Sequence, residues 1–115
     1  MTNSKKEFNG KPIRAEFSGE HKQWLFAAMD ICAALSETES PRRYWSDKKR
    51  LFESEKNEVY EKIVHLKMLA PNGKRHETDA LDKTGAIALA RRIKAAGIED
   101  FIEWIKDLQA AWNRG

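Results

Sequence analysis

Between residues 40 and 50 the chain reads Ser-Pro-Arg-Arg-Tyr-Trp-Ser-Asp-Lys-Lys-Arg, five cations against one carboxylate. On a helix, Arg42, Arg43, Ser46, Lys49 and Arg50 fall on one side at about 100° per residue. Guanidinium forks match phosphate oxygens and guanine edges, while ammonium and hydroxyl groups suit phosphates. The chemistry on offer is recognition of a polyanion, not the making of bonds. A second basic group follows at Lys67 and in Pro71-Asn72-Gly73-Lys74-Arg75, which adds Lys74 and Arg75. The stretch between the two, residues 52–62, carries four glutamates and only two lysines. The formal net charge of the 115 residues is +3, so the segregation of charge says more than its sum.

Other reactive residue types form no recognisable constellation. His21, His65 and His76 lack metal-ligand spacing, and Cys32 is the lone cysteine, so neither a cysteine-built zinc site nor an internal disulfide is expected. His76-Glu77-Thr78-Asp79 is the one tempting cluster. On a strand, however, His76 and Thr78 face one way and Glu77 and Asp79 the other. The two carboxylates read more simply as ion-pair partners for Lys67 or Arg75. No phosphate loop or nucleophile elbow is present. The expectation is a protein that is not an enzyme, without cofactor, metal or small-molecule substrate.

The elements that must position the basic residues follow from local pattern. Residues 1–11 read as a flexible tail and residues 12–115 as one domain. Ile13, Ala15 and Phe17 alternate with polar residues as a strand, and Trp24-Leu25-Phe26 returns after a turn. A helix over 27–35 puts Ala28, Ile31, Ala34 and Leu35 on one face. Ser40-Pro41 reads as an N-cap with proline at the first helical position of a helix over 41–53. Its apolar stripe is Tyr44, Trp45, Leu51 and Phe52, with Lys48 snorkelling out from within it. Residues 63–69 and 75–81 form a second hairpin about Asn72-Gly73. Asp82 caps a helix to about Ala96, Gly97 stops it, and a last helix spans 98–112. The fold class is α+β: hairpin, helix-turn-helix-like pair, wing-like second hairpin, two C-terminal helices. No apolar run reaches membrane-span length and no signal peptide is seen, so a cytoplasmic, non-membrane protein is expected.

Trp24-Leu-Phe26, Asp30-Ile-Cys32, Leu35 and the block Ser40 to Arg50 resemble the Bro-N domain, the N-terminal domain of baculovirus repeated-ORF proteins and of phage and prophage antirepressors. The similarity continues from Glu58 to Asp79 through Leu-Lys-x-x-Ala-Pro-x-Gly-Lys, and covers about residues 13–80. It implies DNA binding in viral or prophage regulation of transcription. Lys48 departs from the more usual apolar residue, and the second domain that commonly follows Bro-N is not in this chain.

Taken alone, the basic helix face and charged hairpin tip read as ordinary solvated surface at least as readily as a DNA-binding face. The resemblance to Bro-N tips the expectation to double-stranded DNA as the partner. A basic helix as second member of such a pair fits the major groove, its first turn nearest the bases. Arg42 and Arg43 are then placed for base edges, Ser46, Lys49 and Arg50 for phosphates, and Lys67, Lys74 and Arg75 for a basic wing. The alternative is an interaction module without DNA contact. In that reading the last helix, with Glu99, Asp100, Glu103 and Asp107 opposite its apolar stripe and with Trp104 and Trp112, makes a homodimer or holds a repressor protein.

Overall fold

Among the described residues, five strands and five helices form an α+β domain in the computed structural model. It describes residues 3–8, 10–20, 22–36, 38–70, 72–93 and 97–114, the side chains of 3–6 and 108–114 excepted. The alternating segment around Ile13 is β2 (Lys11–Ser18), and it is preceded by β1 (Asn3–Phe8) and followed by β3 (Gln23–Ala27). Next come α1 (Ala28–Ser36), α2 (Pro41–Glu55), the single turn α3 (Glu58–Glu61) and the hairpin β4 (Val64–Leu69) and β5 (Arg75–Leu81). α4 (Lys83–Ile93) and α5 (Ile98–Arg114) close the chain.

β1 corrects the expectation of a flexible tail through residue 11. Asn3 to Phe8 pair antiparallel with Glu16 to Lys11. Only Phe8 in that segment is apolar, so no alternation announces the strand. It is fixed by backbone pairing and by Phe8, which is buried edge-on against Phe101 at 5.4 Å and close to Trp104 at 5.6 Å. α3 was also hidden, inside what reads as an acidic run. The Asn57 side chain caps it by accepting a hydrogen bond from the Val59 N–H at 2.8 Å, and Val59 is buried.

The two hairpins are not separate. The sheet runs β1-β2-β3-β5-β4, joined where Phe26 pairs with Leu81 and Ala27 with Ala80. One face carries the main core beneath the helices, including Ile13, Phe26, Ile31, Phe52, Leu89, Phe101 and Ile105. Leu25, Ala27, Met68 and Ala80 make a smaller core with Val64 and Leu66, as the alternation of β4 requires. Two arginine contacts fold the β4–β5 hairpin back towards β2. Arg14 donates from Nη1 to the Leu69 carbonyl at 3.3 Å, and Arg75 donates from Nη2 to both Glu16 carboxylate oxygens at 2.9 and 3.0 Å.

The cap expected at Asp82 is present, that at Ser40 differs, and the expected helix end near Ala96 lies outside the described residues. Asp82 accepts the Gly85 N–H at 2.7 Å and the Thr84 hydroxyl at 2.9 Å, starting α4 as expected. Asp82→Ala is expected to cost about 1 kcal/mol of stability, read from the midpoint of urea unfolding. Ser40 stands at the N-cap of α2 with Pro41 behind it, but its side chain makes no capping bond. The first turn of α2 also contains no acidic residue.

Cys32 is fully buried on the core face of α1. Burial pushes its thiol up to about 12, with the Lys48 charge lowering it and Asp30 raising it by smaller amounts. A thiolate is therefore unfavourable in the folded state at neutral pH. Labelling by an aromatic disulfide reagent at pH 8 is expected to follow the rate or population of opening. Fast stoichiometric labelling of the native protein would contradict this burial.

Candidate nucleic-acid interface

α2 is seated by its inner side. Trp45 and Phe52 are buried, with ring centroids 6.5 Å apart, and Lys48 lies over the Tyr44 ring at 5.6 Å. The stripe is centred on Trp45 and Phe52, further round the helix than the expected set of Tyr44, Trp45, Leu51 and Phe52. Leu51 is consequently 41% exposed. The reason is polar. The Trp45 indole N–H donates to Asp79 Oδ2 on β5 at 2.8 Å, and that bond turns Trp45 towards the hairpin.

The same rotation corrects the reading of Lys49 as an outward residue. Lys49 follows Trp45 by one helical turn, and its Nζ sits 2.9 Å from Asp79 Oδ2. His65, directly across from Asp79 in the β4–β5 register, places Nε2 3.0 Å from Oδ1. One carboxylate thus takes an indole, an ammonium and an imidazole. Burial pushes the Asp79 carboxyl up. Hydrogen bonds from Lys49 and Trp45, with the Lys49 and His65 charges, outweigh it and hold the group below the ordinary carboxylate value. Neither Lys67 nor Arg75 is its partner. Arg75 is committed to Glu16 and also donates to the Lys67 carbonyl at 2.7 Å.

Arg42, Arg43, Ser46, Asp47 and Arg50 are exposed on α2, and so, towards its C-terminal end, are Leu51, Glu53, Ser54 and Glu55. Among the described residues, the ion pairs of this helix engage Asp47, Lys49, Arg50 and Glu55 and leave Arg42 and Arg43 out. Arg50 meets Asp47 only at 3.7 Å, with both side chains largely in solvent, a pair worth little. Two arginines in an uncapped first turn oppose the helix dipole, a cost that an approaching anion reverses.

The hairpin presents fewer unengaged cations than the sequence suggests, and its turn lies near the first turn of α2. Lys67 and Lys74 are exposed, and Lys74 follows a turn closed by Gly73 N–H to the Ala70 carbonyl at 2.9 Å, with Gly73 at φ +84°. Ala70 shares a cleft of about 340 Å³ with Met29, Arg42, Trp45, His76 and Asp79. The first turn of α2 therefore stands beside the hairpin turn. A second arginine in this region, Arg14, is spent: its backbone N–H, Nε and Nη2 all bond Asp30, at 2.9, 2.8 and 3.2 Å.

Sequence reasoning missed Asp79, His65 and the Arg14–Asp30 pair as organisers of this region. Only the Glu77/Asp79 alternation hinted at the first, and nothing local could name Lys49 as its partner. Trp104, whose simpler reading is that it closes the core, packs on Phe8 and stacks on Phe101 at 5.7 Å. Trp112 lies among the side chains outside the description. Among the described residues no group of histidine, cysteine, aspartate or glutamate could hold a metal ion. No helix among them is long and apolar enough to cross a membrane. Comparisons of the chain with protein-family models, with curated proteins and with solved structures find no match.

Proposed function

We propose that the protein binds double-stranded DNA, without catalysis, through the outward face of α2. The setting is regulation of transcription of the phage antirepressor kind, as the resemblance to Bro-N implies. The observation that carries this reading is the pair Arg42 and Arg43. Both are exposed in the first turn, uncompensated by any acidic residue of that turn, and left out of the helix's ion pairs. Such residues have no structural work to do in the free protein, and forked donors at a helix N-terminus suit phosphates and guanine edges. Arg50 and Ser46 extend the face along the helix, and Lys74 adds a cation from the neighbouring hairpin.

The test is fluorescence anisotropy of a labelled random duplex across a salt series. Arg42, Arg43, Arg50 and Lys74 amount to roughly four phosphate contacts, so log affinity against log salt should fall with a slope near -3.6. Absence of binding at about 50 mM salt, where non-specific binders still hold duplex, overturns the reading.

A further inference from the structure

Lys48 and Lys49 are the cations of α2 outside the outward set; Lys48 lies over the Tyr44 ring, while Lys49 differs in kind by its carboxylate partner. Its side chain is 34% exposed and lies against a carboxylate that is only 17% exposed. The carboxylate is further held by Trp45 and His65. An ammonium in this position is next to the basic face yet already neutralised. To reach a phosphate it must leave Asp79, and Asp79 then keeps a poorly solvated charge with one imidazole and one indole N–H.

We infer that Asp79 is an affinity-setting residue of the α2 face, acting by withholding Lys49 from the bound phosphate backbone. The inference rests on the DNA-binding reading above. The other charged groups near Asp79 do not substitute for it. Arg14 is spent on Asp30, and Glu77 stands across from Lys67 in the strand register. Arg42 and His76 line the adjoining cleft. Lys49 alone has its charge balanced by Asp79 at direct ion-pair distance while sitting on the recognition helix. The arrangement keeps the domain a moderate binder.

Asp79→Asn separates this role from a merely structural one. Asparagine retains an oxygen to accept the Trp45 N–H but removes the charge that holds Lys49. The expected result is duplex affinity about fivefold higher at 0.1 M salt, with the salt slope steeper by about one contact, roughly 0.9. A purely structural Asp79 gives the opposite: weaker binding and a lower unfolding midpoint. The double variant Lys49→Gln with Asp79→Asn removes both charges together and leaves no buried unpaired one. Its affinity should lie within twofold of the parent, with an unchanged slope. A slope shallower by about one contact would mean that Lys49 touches phosphate in the parent protein and would overturn the inference. So would an Asp79→Asn variant that folds but binds no tighter. If the parent itself fails to bind duplex, it is the DNA reading that falls.

Discussion

Replacing Arg42, Arg43 and Arg50 together with alanine is expected to weaken duplex binding at 0.1 M salt by roughly a hundredfold or more. The salt slope should become shallower by about 2.7, three phosphate contacts at about 0.9 each. The stability of the protein should not fall with it. Arg42 and Arg43 oppose the dipole of α2, each at a cost of about 0.3–1 kcal/mol, and neither is buried or paired in the fold. Alanine also has the higher helix propensity. Thermal unfolding of the triple variant is therefore expected at the parent temperature or above it. Loss of binding together with loss of stability would mean that these side chains support the fold instead. Unchanged binding would move the interface off α2.

The second large effect concerns what holds that face in place. Phe52 is fully buried between α2 and the rest of the core, near Trp45, with the Arg92 guanidinium of α4 over its ring at 5.2 Å. Arg92 is itself paired to Glu55 at 2.9 and 3.2 Å, so the ring and the ion pair together tie the C-terminal half of α2 to α4. Phe52→Ala empties a ring-sized volume and removes the surface on which Arg92 lies. The expected cost is about 3–5 kcal/mol, measured by urea unfolding. For a domain of this size that is a large share of a typical total stability of about 5–15 kcal/mol. Arg92→Ala, which keeps the ring but loses a surface pair only about a third exposed, should cost far less. A Phe52→Ala cost below about 1 kcal/mol would show that the pocket collapses and that α2 is held mainly from its Trp45 end.

Local pattern carried most of the architecture. Strict alternation in Ile13-Ala15-Phe17 and Val64-Leu66-Met68, Pro41 at a helix start, Asp82 before α4 and Asn72-Gly73 in the turn are signals that sit within a few residues of the structure they specify. What escaped depends on distant partners. The junction of the two hairpins is only two residue pairs, Phe26 with Leu81 and Ala27 with Ala80, and is made by backbone groups that any sequence possesses. β1 has one apolar side chain, so its strand is set by the β2 edge it pairs with. The seating of α2 is the most instructive difference. A helical wheel places Tyr44 and Leu51 in the apolar stripe as readily as Trp45 and Phe52, and it puts Lys49 outside. A hydrogen bond between Trp45 and Asp79, 34 positions apart, decides the rotation and takes Lys49 with it. Of the eight basic or hydroxylic residues the sequence nominated, Lys49 and Arg75 are thereby committed to Asp79 and Glu16, while Arg42, Arg43, Ser46, Arg50, Lys67 and Lys74 remain exposed.

The most direct test of the central claim is where a duplex touches the protein. Backbone amide chemical shifts of the full chain, followed as an unlabelled random duplex is added at about 50 mM salt, report this residue by residue. The largest changes are expected over residues 42–50, with smaller ones at Asn72, Gly73 and Lys74, and none along the acidic first turns of α5. Changes concentrated on α5, or a spectrum indifferent to duplex, would contradict the assignment of α2 as the DNA-binding element.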